Sequence, residues 1–148
     1  TVVLSRTTSN VNLSNAERAQ MANEAHADIY IRLEAGKSVD HNTTGMIGFI
    51  TTSNNPDTSS NYRKHFELVY DLLKEATEGT GAKRLGIFET DDMACLNYAD
   101  MPAAVINMGF LSNPDDDMNL TSADYQKKMA KSLVDGVDFY FQEVEEGE

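Results

Sequence analysis

Segments with the periodicity of β-strands alternate along this chain with segments that have the periodicity of α-helices, and this alternation constrains the fold most strongly. Apolar residues at every second position predict a strand, as at Ile29, Ile31 and Leu33. Strands that alternate with helices favour a layered α/β/α domain with a mostly parallel central sheet of about five strands. The predicted strands cover residues 1–6, 27–35, 45–52, 84–88 and 103–108.

Capping signals and apolar stripes predict where the helices lie. Ser14 and Glu17 have the spacing of a capping box, which starts a helix by satisfying free backbone N–H groups. A helix is therefore expected from Ser14 to about His26. Apolar side chains recur at helical spacing over residues 61–77, and Gly79-Thr80-Gly81 should end that helix. Two further helices are predicted to begin at Asn113-Pro114 and near Ser122, while residues 89–101 read as a loop and the acidic end, residues 143–148, should fray.

Composition excludes several classes of protein. The chain has 148 residues, a length that indicates one domain, and 41% of them are hydrophobic, which is enough to fill a core. The formal net charge of −12 opposes binding to nucleic acid, whose affinity depends on neutralising phosphates. The apolar runs are far shorter than the roughly 20 residues needed to span a bilayer. We therefore expect neither nucleic-acid binding nor a membrane span in this chain.

The cysteine count and the first residue limit two other inferences. Cys95 is the only cysteine, so an internal disulfide and a cysteine-built zinc or iron–sulfur site are excluded. The first residue is Thr1 rather than Met, and a strand-like run follows it directly. We expect that residue 1 is not the natural start, so the lack of a signal peptide does not argue for a cytoplasmic protein.

Candidate functional residues follow three predicted strands, because function in α/β sheets collects at the carboxyl ends of strands. These stretches are residues 34–37, 89–97 and 107–113. Glu34 could ligate a cation or accept a proton, but taken alone it is more often a solvated charge on a half-exposed strand. His26, His41 and His65 are too widely spaced for a metal motif. The chain also lacks the Gly-x-Ser-x-Gly elbow of serine hydrolases.

Several ordered motifs resemble the catalytic domain of the zinc-dependent N-acetylmuramoyl-L-alanine amidases, which cut peptidoglycan between its glycan and its stem peptide. The similarity runs through nearly the whole chain. The most specific match is the strand from Pro102 to Ile106 followed by the motif from Gly109 to Pro114. Three earlier segments, residues 2–7, 17–23 and 27–31, resemble the family's second strand, its Arg-x-x-x-Ala-Asn helix and its third strand.

The resemblance implies a zinc ion held by His, Glu and His, with a second Glu that polarises the attacking water. Glu34 stands where the family has a His ligand, and Asn107 stands where it has the catalytic Glu. The family's first strand and following helix, which carry the other ligands, would lie before Thr1. The resemblance also implies a substrate groove lined by Glu89, Thr90, Asp91, Met93, Leu96 and Asn97.

These departures predict a poor hydrolase, because a neutral amide cannot take a proton from water and loss of a general base costs on the order of 10²–10⁴ in rate. The leading hypothesis is therefore a bacterial cell-wall protein, extracellular or wall-associated. It would be catalytically degenerate, hold no zinc, and bind peptidoglycan, muropeptides or a partner protein. One alternative is an active amidase with upstream ligands, Glu34 on the metal and Glu89 as base. Another is a regulatory subunit that pairs with a second wall hydrolase.

Overall fold

A computed structural model describes residues 1–146, which form a mixed four-stranded sheet between two helical layers. Gly147 and Glu148, the end of the segment predicted to fray, lie outside the described residues. The helices are α1 (Asn15–Glu24), α2 (Tyr62–Thr80), α3 (Ala94–Asn97), α4 (Pro114–Thr121) and α5 (Ala123–Glu146), and a short 3₁₀ turn spans Ser59–Asn61. The strands are β1 (Tyr30–Gly36), β2 (Met46–Ile50), β3 (Arg84–Glu89) and β4 (Ala103–Phe110).

The sheet has the order β1-β4-β2-β3. β1 pairs in parallel with β4, and β2 in parallel with β3, but β2 and β4 are antiparallel. The α/β class and the mostly parallel sheet are confirmed, with four described strands instead of about five. The antiparallel pair has one important consequence. The C-terminal ends of β1 and β4 lie at one end of the sheet, which we call the Asn107 end, and those of β2 and β3 lie at the other, the Asp91 end.

The predicted strand at residues 1–6 is wrong. This segment pairs with no described strand, and its apolar side chains are exposed, with Val2 84% accessible. A strand needs a neighbour for its backbone hydrogen bonds, and periodicity alone does not supply one. The loop predicted over residues 89–101 also needs correction, since it contains α3. At the C-terminus, α5 continues to Glu146, and Val144 packs against the core. That residues 143–148 fray stays a prediction.

Each face of the sheet is covered by helices. β4 is buried on both faces, as expected for a central strand. Ala104 and Ile106 pack with buried side chains of α2 and α5, and Ala103 and Val105 pack with the region around α3. Among residues 1–146, no helix combines the length and apolar character needed to cross a membrane.

Local signals fix the helix ends as the sequence predicts. The Ser14 hydroxyl accepts a hydrogen bond from the Glu17 N–H at 3.2 Å, and the Glu17 carboxylate accepts one from the Ser14 N–H at 2.7 Å. The Asn113 side chain caps α4 by accepting hydrogen bonds from two backbone N–H groups. Gly81, which has a φ of 77°, ends α2 in the left-handed conformation that glycine adopts most readily.

Candidate functional site

Glu34 and Asn107 are direct neighbours at the Asn107 end of the sheet. They occupy paired positions of β1 and β4, one row before the register shifts between Glu34 and Gly36. The structure therefore brings together the two positions that the sequence singled out, although they are 73 residues apart in the chain numbering (107 − 34). What these two side chains contact decides whether the site can hold a metal ion and activate water.

Asn107 holds the ends of two strands together. Its side chain is 4% exposed, and its Oδ1 accepts a hydrogen bond from the Gly36 N–H at 2.9 Å and another from the Gly109 N–H at 3.2 Å. A Cβ atom on residue 36 would overlap the Asn107 Nδ2, so only glycine fits beside this amide. Asn107 thus satisfies two backbone donors at the strand irregularity and cannot accept a proton as a general base does.

Glu34 forms an ion pair with Arg32. The Arg32 Nη2 lies 3.1 Å from the Glu34 Oε2, and both side chains are about three-quarters buried. The same guanidinium donates to the Asn15 Oδ1 at 2.6 Å, which ties β1 to the start of α1. A guanidinium stays charged at any relevant pH, so it would repel a metal cation bound to Glu34. The carboxylate is therefore engaged by a fixed positive charge.

The residues of this site do not fit a zinc ion. Within residues 1–146, no three His, Cys, Asp or Glu side chains are placed to hold a metal together. The two side chains at this end of the sheet that could offer an oxygen to zinc already have partners. Glu34 forms an ion pair with Arg32, and the Asn107 Oδ1 accepts hydrogen bonds from two backbone N–H groups. His65 is 1% exposed in α2, and its Nδ1 accepts a hydrogen bond from the Ala103 N–H at 2.8 Å. That histidine supports the core at the start of β4, at the Asp91 end.

The predicted groove residues lie at the opposite end of the sheet. Asp91 accepts hydrogen bonds from the Thr52 N–H at 2.9 Å, the Thr52 hydroxyl at 2.7 Å and the Asn55 Nδ2 at 2.8 Å. The bond from Asn55, followed by those from Thr52, holds the pKa of the Asp91 carboxyl below its ordinary value. The Asn97 Nδ2 donates to the Asp91 carbonyl at 2.6 Å. These contacts rigidify the loops after β2 and β3.

Glu89 and Thr90 belong to the same end, away from Asn107. Glu89 pairs with Ile50 in the sheet, and its carboxylate accepts a hydrogen bond from the Tyr62 hydroxyl at 2.6 Å. This bond raises the pKa of Tyr62. The Thr90 hydroxyl accepts from the Asp92 N–H at 3.2 Å. Since β2 and β4 are antiparallel, Glu89 is displaced from Asn107 both along and across the sheet.

Two of the predicted groove residues belong to the core. Leu96 is fully buried, and Met93 packs against the same cluster beneath α3. Asn97, in contrast, lines an open cavity of about 760 Å³ between α1, α3 and the loop at residues 56–57. Sequence analysis missed the other polar residues of this cavity, because they come from segments that carry no shared motif. They are Gln20, Asn23, Asp57, Tyr98 and Asp100.

The chain folds as an α/β domain in which Glu34 and Asn107 lie on adjacent strand ends. A sequence profile described as N-acetylmuramoyl-L-alanine amidase matches residues 1–138. The chain therefore belongs to the N-acetylmuramoyl-L-alanine amidase family, whose members are zinc-dependent.

The chain is also similar to individual proteins and to solved structures. The chain is 26% identical to the Bacillus subtilis (strain 168) protein YqiI, covering 87% of this chain and 59% of that protein. It is 28% identical to the germination-specific N-acetylmuramoyl-L-alanine amidase of the same organism, covering 86% and 50%. The structure matches that of an N-acetylmuramoyl-L-alanine amidase from Clostridium difficile 630 with a TM-score of 0.84 at 26% identity, covering 96% of this chain and 72% of the other.

The chain spans about half to three-fifths of the length of these two curated relatives. That residues 1–148 form one domain lacking a family strand and helix stays a prediction.

Proposed function

We propose that this domain binds peptidoglycan fragments in the bacterial cell wall without hydrolysing them and without a bound zinc ion. Membership of the amidase family supports the ligand class. The proposed loss of hydrolysis rests on one observation: the side chains at both proposed catalytic positions already have structural partners. Asn107 is committed to two backbone N–H groups, and Glu34 is committed to Arg32. Neither residue is free to hold a metal ion or to activate water.

The cavity beside Tyr98 is the surface to which we assign the ligand. Its volume of about 760 Å³ lies in the range of small-molecule sites, roughly 300–1,000 Å³. Amide and carboxylate side chains line it and can hydrogen-bond sugar hydroxyls and peptide groups. The Tyr98 side chain is 58% exposed, so its ring offers an apolar face to the C–H side of a sugar. A disaccharide that carries a stem peptide matches this mixed surface.

The backbone around the cavity is held in place before any ligand binds. The Asn23 Nδ2 donates to the Tyr98 carbonyl at 2.8 Å, and the Asn23 Oδ1 accepts from the Asp100 N–H at 3.1 Å. These two bonds connect α1 to the segment after α3. A preformed site loses less entropy on binding than one that must be ordered. Asn23 is therefore assigned a positioning role.

Titration with a purified muropeptide tests this proposal. We expect saturable binding, unchanged by zinc or by a chelator, and at least a tenfold weaker affinity in Tyr98→Ala. Tyr70→Ala is the matched control, because Tyr70 is also a partly exposed tyrosine, 42% accessible, but lies on α2. If the wild type does not bind the muropeptide, or if Tyr98→Ala and Tyr70→Ala lose affinity equally, the cavity beside Tyr98 is not the binding site. Zinc-dependent cleavage of the muropeptide would rule out the loss of hydrolysis and favour an active amidase.

A further inference from the structure

The two longest helices, α2 and α5, approach each other most closely at Gly136. A Cβ atom on this residue would lie 2.9 Å from the backbone oxygen of Asp71 and 2.9 Å from the Cα of Leu72. The absence of a side chain on Gly136 lets the two backbones come together. One result of this close approach is that an acidic side chain, Asp71, is trapped between the helices with 5% of its surface exposed.

The Asp71 carboxyl has one oxygen that lacks the partners an ionised group needs. Its Oδ2 is fully buried and makes no hydrogen bond within residues 1–146. A carboxylate taken out of water without donors is strongly unfavourable, whereas a protonated carboxyl carries no charge and costs much less to bury. The packing of α5 over Asp71 therefore favours the protonated form.

The charged and titratable groups around Asp71 are mostly acidic, and they compensate its charge only in part. On α5 these are Glu143 and the buried Tyr140, and on α2 they are Glu67, Glu75 and Lys74. Among residues 1–146, the cation that acts on Asp71 is Lys74. Its Nζ lies 2.8 Å from a Glu75 oxygen and 5.2 Å from the centre of the Phe139 ring. Lys74 is thus already engaged, and the remaining neighbours are acidic or neutral.

We propose that protonation of the Asp71 carboxyl controls how tightly α5 docks on α2. With the carboxyl protonated, the helices pack as described and cover one face of the sheet. When the carboxyl ionises, the buried charge favours opening of the interface to water, and α5 loosens as a unit.

The direction of the pH dependence follows from the two states of the chain. Burial, and then the charge of Glu143, raise the pKa of Asp71 from 3.8 to about 6. Between these values the folded chain holds a proton that the unfolded chain has released. The contribution of the neutral Asp71 carboxyl to the stability of the folded chain is therefore fully present below pH 3.8. It is lost as the pH rises through about 6.

Amide hydrogen exchange of α5, corrected for intrinsic rates and measured from pH 5 to pH 8, tests the proposal. Between pH 5 and pH 8 we expect the protection of the α5 amides in the wild type to fall by about tenfold relative to that in Asp71→Asn. In this variant the side chain of residue 71 stays neutral at every pH. Asp138→Asn is the control: it removes the same charge from an exposed position on α5, and it should follow the wild type. Equal pH dependence in the wild type and Asp71→Asn would overturn the proposal.

A direct titration keeps the proposal testable if Asp71→Asn does not fold. The ¹³C chemical shift of the Asp71 carboxyl in the wild type reports its protonation. We expect a midpoint near pH 6 that coincides with the loss of α5 protection. A midpoint at or below pH 4 would contradict the proposal.

Discussion

The Asn107 Oδ1 accepts a hydrogen bond from the Gly36 N–H at 2.9 Å, where the ends of β4 and β1 meet. The amide thus stabilises the sheet at a position that we propose corresponds to the family's catalytic carboxylate. The neighbouring Glu34 is paired with Arg32 in the same way. Both side chains have structural partners, and this connects the fold of the domain to its proposed lack of hydrolytic activity.

Asn107→Ala should destabilise the domain. It leaves the N–H groups of Gly36 and Gly109 without their acceptor in a buried setting, at a cost of about 1–3 kcal/mol. Chemical denaturation measures the change. Asn119→Ala, at an exposed asparagine of α4, is the control and should change the stability little. An unchanged free energy of unfolding in Asn107→Ala would show that the bridge contributes nothing.

Gly36→Ala should also destabilise the domain, because its Cβ would overlap the Asn107 side chain. Overpacking of this kind costs about 1–3 kcal/mol. Adding Asn107→Ala removes the clash, so the double variant should lose less stability than the two single changes together. A double-mutant cycle measures this coupling, and simple additivity would contradict the contact.

The buried histidine in α2 should make the domain sensitive to acid. Burial lowers the pKa of His65 below 6.5, so the folded chain keeps it neutral while the unfolded chain takes up a proton. Its contribution to stability is full above 6.5 and is lost as the pH falls below that value. His65→Asn keeps an acceptor for the Ala103 N–H but does not titrate. From pH 7 to pH 5 the free energy of unfolding of His65→Asn should therefore fall less than that of the wild type. The same pH dependence in both proteins would contradict this explanation.

Gly136→Ala tests the close approach of α2 and α5. In an exposed helix this change normally stabilises by roughly 0.5–1 kcal/mol. Here the new Cβ would meet the α2 backbone at 2.9 Å, so we expect a loss of stability instead. Thermal unfolding gives the sign directly. Asp138→Ala, two residues later on α5 and exposed, should be nearly neutral. A stabilised Gly136→Ala variant would mean that the helices are not in contact there.

Local signals in the sequence predicted much of the fold. The capping box at Ser14, the apolar stripe of α2 and the Asn113 cap all act over short distances, and the structure contains each of them. Strand direction depends on tertiary contacts, so nothing in the periodicity of residues 46–50 revealed that β2 runs antiparallel to β4. For the same reason the sequence placed Glu89 and Asn107 at one edge, while the structure places them at opposite ends.

The candidate site was predictable only in part. Glu34 was identified from its place at a strand end and Asn107 through the resemblance. The contacts of Asn107 with Gly36 depend on the register between two distant strands, and the ion pair of Glu34 with Arg32 is a tertiary feature that the sequence did not show. The cavity beside Tyr98 is assembled from α1, a loop and the segment after α3, which share no sequence motif. The unpartnered Asp71 oxygen likewise follows from helix packing that the sequence does not show.

The most direct measurement of the central claim is the product of incubating this protein with zinc and a muropeptide, analysed by mass spectrometry. Because Asn107 cannot act as a base and Glu34 is paired with Arg32, the account predicts that the muropeptide stays intact. Release of the free stem peptide, with turnover comparable to that of an ordinary amidase, would contradict it.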